Sequence, residues 1–281
     1  MTTDAITGDD LPLDEGFVDA VAFLARSEHR MRVLDVLAEG PHPREDLLDA
    51  TGVTRVTLSR ILGDLEDRAW IVHEYDPDRY ALTDLGHLVH EDLTRLLRTV
   101  SVGQRLDGVF EQLPTDWFGF DPRCLADARL LCSDSADPSA PARAVADAVV
   151  DANRVRALVG SFTALPLYAY AATSHDGPAP DATVVYDPSA AAVVAENDDL
   201  AHRRRSIEAD YDAPVYYRTG ASLPCNVDII DDTVYLSIGN GSGGFRVVET
   251  DHPAVLSWAR EEFAAVREDA VPLRDWTDEH A

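Results

Sequence analysis

The stretch PREDLLDATGVTRVTLSRILGDLEDRAWIVHEYDPDRYAL, residues 43–82, decides how this chain is read. Pro43 to Ala50 suits a short helix, with proline at the first position, where a missing N–H costs nothing. Thr51-Gly52-Val53 is the turn, and Gly52 supplies the left-handed backbone that ends a helix tightly. Thr54 can cap a second helix running to about Arg68. Leu58, Ile61, Leu62 and Leu65 fall at i, i+3, i+4 and i+7, the stripe of a core-facing helix. Val56, Ser59, Arg60 and Gly63 share the opposite face, which is small, polar and basic at its N-terminal end. A helix of that kind can enter a major groove with its first turns against base edges. Beyond it, Trp70 to Tyr75 is β-prone, Asp76-Pro77-Asp78 is a turn, and Arg79 to Leu82 returns. Arg79 is expected at the hairpin tip, within reach of phosphate.

Upstream, Ser27 can cap a helix holding Met31, Leu34 and Leu37, closed by Gly40-Pro41. Phe17, Ala20, Val21 and Leu24 form the apolar stripe of a helix before that. Helices and a hairpin in this order resemble the winged helix-turn-helix transcription regulators of the ArsR and MarR type. The resemblance implies double-stranded DNA as partner, with Arg44, Thr54, Arg55, Val56, Thr57, Ser59, Arg60 and Arg79 as the contacting residues. A winged helix used for protein contacts alone is the alternative; readable donors on the outer helix face favour DNA.

The chain has 281 residues and a formal net charge of −27. It contains no lysine; all 24 basic residues are arginine, and acid is spread along the whole length. This composition resembles proteins of extreme halophiles and, with the motif, points to a haloarchaeal regulator. An acidic chain ordinarily disfavours nucleic acid, because affinity comes from neutralised phosphates. In about 1 M salt, however, the Debye length falls to roughly 3 Å and that repulsion is screened. No run of 18 apolar residues exists and the N-terminus lacks a basic and apolar leader, so neither membrane span nor signal peptide is expected. Cys124, Cys132 and Cys225 are scattered and odd in number, which suggests a reducing, cytoplasmic setting without a disulfide or zinc framework.

The domains expected are a disordered tail at 1–13, the winged helix at 14–82, dimerisation and linker helices at 83–113, an α/β effector domain at 114–270 and an acidic tail at 271–281. The fold class is thus α+β overall. Thr83-Asp84 can cap a long helix in which Val89, Leu93, Leu96 and Val100 form a coiled-coil seam. Gly103 is read as breaking that register, with Leu106, Phe110 and Leu113 on a second helix. The seam predicts a homodimer, since a helix-turn-helix gains specificity from two half-sites. Trp117, Phe118 and Phe120 are expected to anchor the junction that follows. Strands near 128–132, 155–160 and 183–186 alternate with helices, which predicts a largely parallel sheet. Strands near 214–218, 225–230, 233–239 and 245–248 and a helix at 252–267 complete the domain, with a glycine-rich turn at 239–244 read as flexible.

From Ile229-Ile230-Asp231-Asp232-Thr233-Val234-Tyr235-Leu236 and the Trp258 to Phe263 helix, this half resembles the effector domain of archaeal regulators related to the methanogenesis filament regulator. That domain is similar to the phospholipase-D-like middle domain of TrmB-type regulators. The resemblance allows a test. Active phospholipase-D-like enzymes carry His-x-Lys, then four residues, then Asp. With Asp231 in the Asp place, Pro224 stands for His and Asn226 for Lys, so nucleophile and phosphate-holding cation are both missing. A non-catalytic domain receiving a small-molecule signal is expected. A divergent phosphodiesterase-like enzyme and a protein-interaction scaffold are the alternatives.

In open α/β sheets, ligands bind beyond the carboxyl ends of the strands. Ser161 and Asp187 each follow a strand at the start of a helix, and Tyr168, Arg218 and Asn226 can line the same crevice; ordinary capping competes with ligand binding for Ser161 and Asp187. His87 and His90, three apart, have no Cys or third His at ligand spacing, so neither metal nor cofactor is expected. His202-Arg203-Arg204-Arg205 is a basic cluster read as a solvated helix face balanced by Asp198, Asp199 and Glu208, or else an anion contact.

Overall fold

Where the sequence places its helix-turn-helix, the computed structural model shows α3 (Arg44–Thr51) and α4 (Arg55–Glu66) joined by a turn with Gly52 at φ 64°. The structure describes residues 15–133, 137–172, 180–211, 214–218, 220–239 and 245–275. The tail expected at 1–13, most of the turn expected at 239–244 and the last six residues lie outside them. Contact clustering divides the chain into two units, Met1–Leu97 and Arg98–Ala281.

The first unit holds α1 (Glu15–Ala25), α2 (Glu28–Ala38), α3, α4 and the antiparallel strands β1 (Ile71–Tyr75) and β2 (Asp78–Leu82). Ser27 caps α2 by accepting from the Arg30 N–H, and Thr54 caps α4 by accepting from the Thr57 N–H. Pro43 is not the first helical residue, as expected, but the extended residue before it, at φ −69° and ψ 161°. Leu58, Ile61, Leu62 and Leu65 are buried with Leu24, Leu34, Leu37 and Leu47 in one core. Burial of such a side chain stabilises by about 1.5–3 kcal/mol, so this stripe fixes α4 and leaves its other face to solvent. Beyond the expected hairpin, His42 adds a one-residue bridge to the wing, exchanging backbone hydrogen bonds with Tyr80 at 2.9 and 2.8 Å.

After β2 the chain enters α5 (Asp84–Arg105). Thr83 donates to the Ala69 carbonyl at 2.6 Å and accepts from the Gly86 N–H at 2.9 Å, fixing the helix start. Gly86 is required by space: a Cβ there would lie 1.8 Å from the Trp70 carbonyl oxygen. Gly103 does not break the helix, which continues to Arg105; no second helix follows, only a turn and a 3-10 segment at Phe110–Gln112. A glycine inside a helix costs only about 1 kcal/mol, which flanking turns can absorb. The expected seam splits. Leu93 is buried in the core of the first unit, with Val89 packed against it, whereas Leu96 and Val100 are 51% and 46% exposed.

The second unit is an eight-stranded mixed sheet in the order β10-β6-β5-β4-β7-β8-β9-β3. Its strands are β3 (Arg129–Cys132), β4 (Arg154–Val159), β5 (Asp181–Tyr186), β6 (Val215–Tyr217), β7 (Asn226–Ile230), β8 (Thr233–Gly239), β9 (Phe245–Thr250) and β10 (Val271–Pro272). The expectation of a largely parallel sheet fails: only β4–β5 and β5–β6 pair in parallel. β3 does not join β4 but pairs antiparallel with β9 at the far edge. Alternation of strands and helices along the chain does not reveal which strands become neighbours, and short connections favour the antiparallel β7-β8-β9 run.

Helices α6 (Ala140–Val150), α7 (Ala164–Ala172), α8 (Pro188–Glu196) and α9 (Asp198–Tyr211) belong to this unit, as does α10 (Pro253–Glu268). Strand alternation divides the packing. Leu158, Val185, Val227, Ile229, Leu236 and Val248 form one core with Trp258 and Phe263 of α10. Val155, Ala182, Ile230, Tyr235 and Val247 point the other way, toward α6, α7 and α9. Trp117, Phe118 and Phe120 cluster on Trp258, with ring centroids 5.2–5.3 Å from it. Leu106, Val109 and Leu113 are buried here as well. The acidic tail expected from 271 begins inside this fold, because Val271 and Pro272 pair with β6 and Leu273 is buried.

Candidate nucleic-acid interface and effector domain

The exposed face of α4 is built by its buried one. With Leu58 and Ile61 turned inward, Arg55, Val56, Ser59 and Arg60 are exposed, and Val56 is 80% accessible despite being apolar. Arg44, from the start of α3, reaches across to this face. Its guanidinium donates to the Ser59 hydroxyl and, at 3.4 Å, to the Arg55 carbonyl. Ser59 in turn donates to the Arg55 carbonyl at 2.8 Å. The Thr54 and Thr57 hydroxyls lie 3.0 Å apart at the helix N-terminus. Seven of the eight residues expected to touch DNA are thus brought together, and Ser59 already has both its hydrogen-bonding roles occupied. Among the described residues Arg44, Arg55 and Arg60 form no ion pair with a carboxylate.

Arg79 differs. It stands one residue back from the turn, opposite Glu74, and its guanidinium is paired with that carboxylate. The free cation expected at the wing tip is not there; the tip presents Tyr75, 82% exposed, beside Asp78. Sequence reading did not foresee the pair, although positions 74 and 79 flanking a two-residue turn are direct cross-strand neighbours.

In the second unit the expected crevice residues divide. Asp187 is 1% exposed and caps α8: one carboxylate oxygen accepts from the Ser189 and Ala190 N–H groups, the other from the Leu223 N–H. Asn226 accepts from the Gly160 and Ser161 N–H groups at 2.9 and 2.8 Å and donates to the Ser161 carbonyl. These two side chains and Ser161 do meet at the ends of β4 and β5, but the Asp187 carboxylate is spent on the Ser189, Ala190 and Leu223 backbone and the Asn226 amide on that of Gly160 and Ser161. Capping, the competing reading, fits Asp187. Ser161 does not cap, since α7 begins at Ala164. Tyr168 is apart from them, donating to Asp199 at 3.1 Å beneath Arg203. Arg218 gives its backbone N–H to the Tyr186 carbonyl.

The helix with the basic cluster is not simply solvated. Arg203 pairs with Asp199, and that hydrogen bond lowers the Asp199 pKa. Arg204 is 5% exposed, pairs with Glu208 at 2.6 Å and has a buried Nε without a partner. Asp231, the residue that the phospholipase-D-like resemblance would put in the aspartate place, accepts from the Asn153 and Arg154 N–H groups at the β7–β8 turn. Burial pushes the Cys225 thiol up to about 12, and Cys124, Cys132 and Cys225 are all unbridged. His90 pairs with Asp35, and no group of three metal-ligating side chains occurs among the described residues. No described helix is long and apolar enough to cross a membrane.

Sequence reading missed a further feature. A cavity of about 100 Å³ lies between the sheet and the layer formed by α6, α7 and α9. Its lining is mostly apolar, with Asp228 from the middle of β7 among it. Part of the Asp228 surface is open, but toward the cavity rather than bulk water; desolvation pushes its carboxyl up to about 7. The signal was visible: a lone acid in the otherwise apolar run Val227-Asp228-Ile229-Ile230.

Known proteins were compared with the chain. Residues 18–105 match the family profile described as the HVO_A0261 N-terminal domain. Residues 138–269 match the profile of the methanogenesis regulatory protein FilR1, middle domain. No curated protein matches the chain. Among solved structures, TrmBL2, an archaeal chromatin protein with a novel mode of DNA binding, is 11% identical at a TM-score of 0.38, over 90% of this chain and 99% of that one. Ligand-free NadR is 21% identical at a TM-score of 0.26, over 36% and 83%. NucT from Helicobacter pylori is 14% identical at 0.38, over 52% and 98%. Likenesses this weak carry no argument about fold or activity. On the two profile matches, the chain is similar over residues 18–105 to the one domain profile and over residues 138–269 to the other, the second belonging to a regulatory protein.

Proposed function

We propose that this protein is a sequence-specific DNA-binding transcriptional regulator of a haloarchaeon that acts as a homodimer, with a non-catalytic sensory α/β domain. The observation that carries the reading is the face formed by Arg44, Arg55 and Arg60. In a chain of net charge −27, these arginines converge on the exposed side of a helix-turn-helix without carboxylate partners among the described residues. Arg60 and Arg55 are free to meet guanine edges or phosphate, and Thr54 and Thr57 to meet phosphate at the helix N-terminus. Val56 is placed for a thymine methyl. The match of the second domain to a regulatory protein supports the same reading.

Pairing through α5 is supported by Leu96, Leu97 and Val100, which are apolar and exposed on one helix. A sensory rather than catalytic second domain is supported by Pro224 and Asn226 at the places of the hydrolase His and Lys, and by the structural duties of Asn226 and Asp231. Chromatin immunoprecipitation of the tagged chain in its host tests the function. Discrete promoter peaks, lost in Arg60→Ala at equal protein level, are expected. Uniform or absent enrichment of the wild type would overturn it.

A further inference from the structure

The cavity between the sheet and α6, α7 and α9 holds polar groups without visible purpose. Among the described residues Asp228 accepts no hydrogen bond, although it lines a space walled by groups such as Val155, Ala157, Phe162, Tyr170 and Val247. The Ser237 and Tyr186 hydroxyls, from β8 and β5 on the same lining, have no hydrogen-bond partner among the described residues either. Arg204 closes another part of the wall with its Nε unpartnered and its charge committed to Glu208. Burying polar groups without partners costs on the order of 1–3 kcal/mol each, and a dry cavity would be lined by carbon alone.

The space exists because small residues stand where larger ones would close it. Ala157 of β4 is the direct neighbour of Asp228 in register, and Ala182 of β5 and Ala142 of α6 also line the cavity. Its size is comparable to that of cavities that accept a single aromatic ring, roughly 150 Å³. Phe162, Tyr170 and Tyr186 bring aromatic rings to the wall, which favour a cation or another ring.

We propose that this cavity binds a small, predominantly apolar amine, its nitrogen on Asp228 and its carbon body against the aromatic and aliphatic wall. The acid is the one carboxyl in the lining and has no cation paired with it among the described residues, so it specifies the donor end of the ligand. The Tyr186 and Ser237 hydroxyls and Arg204 Nε are available to a second polar group. The inference deepens the sensory role proposed for this domain and rests on it. The cavity shares Asn226 with the loop crevice at the ends of β4 and β5, but the Asn226 amide is committed to the Gly160 and Ser161 backbone, so Asp228 is left as the specifying group.

Benzylamine serves as probe, with benzyl alcohol, toluene and benzoate as controls of matched shape. Binding to the full chain in molar potassium chloride is measured by calorimetry, without DNA. Benzylamine is expected to bind saturably and at least about ten-fold more tightly than the controls, a difference of about 1.4 kcal/mol. Asp228→Asn keeps the volume and is expected to abolish that preference; Ala157→Leu is expected to abolish binding of all ring compounds. Equal affinity for benzylamine and benzyl alcohol, or an unchanged preference in folded Asp228→Asn, overturns the site. A wild-type chain that binds benzylamine but no promoter DNA overturns the regulator and leaves the site standing. A chain that binds DNA but no amine does the reverse.

Discussion

At the scale of single residues, the arginines on the helix-turn-helix are not equivalent. Arg60 has no partner among the described residues, whereas Arg44 is held by Ser59 and the Arg55 carbonyl. Arg60→Ala is expected to weaken specific binding by about 1–3 kcal/mol, the range of a good base contact. Ser59→Ala should cost less, because the hydroxyl is already occupied and its loss releases Arg44; gel shifts in molar potassium chloride compare the two. An effect of Ser59→Ala larger than that of Arg60→Ala would reverse the assignment. Asp228 gives a pH signature. Its carboxyl is raised by burial from the usual 3.8 to about 7, so between those values the folded state holds more protons than the unfolded one. Stability contributed by the neutral form is therefore present at low pH and lost as pH rises through about 7. The full shift corresponds to roughly 4 kcal/mol as an upper figure. Asp228→Asn is expected to raise the melting temperature at pH 8 and not at pH 4.

At the scale of elements, the helix-turn-helix was legible because its information is local. Caps at Ser27 and Thr54, a left-handed glycine at 52 and a four-leucine-type stripe act within one turn of themselves. The Arg79–Glu74 pair and the neighbours of β3 were not legible, because they depend on partners across a strand or across the domain. The seam on α5 shows the same limit. Val89, Leu93, Leu96 and Val100 share a helical face, but periodicity does not say what covers it. The structure covers Leu93 with the first unit's own core, so Leu93→Ala is expected to lower stability by about 2–5 kcal/mol without bearing on assembly. Leu96→Asp with Val100→Asp is instead expected to halve the mass in light scattering while circular dichroism stays native. An unchanged mass in a folded double variant would place the pairing surface elsewhere. The crevice at the ends of β4 and β5 was read from topology. It exists, but Asp187 and Asn226 stitch it shut, while the cavity with Asp228 sits under the helices.

For the whole molecule, the acid excess and the proposed DNA-reading face must work together. The second unit's ion pairs, such as Arg156–Asp181 and Arg204–Glu208, engage only part of the carboxylate surplus. At low salt the remainder repels both itself and DNA. Specific affinity is expected to stay flat or rise between about 0.5 and 2 M potassium chloride, against the usual slope of about −0.9 per neutralised phosphate. The fold should loosen below that range as the Debye length grows. The most direct measurement is selection of duplexes from a random pool by the full-length chain in about 2 M potassium chloride, a concentration at which screening is nearly complete, run beside Arg55→Ala with Arg60→Ala. The wild type is expected to enrich one defined motif and the folded double variant to lose it; no enrichment by the wild type, or the same motif from both proteins, would contradict DNA reading by this face.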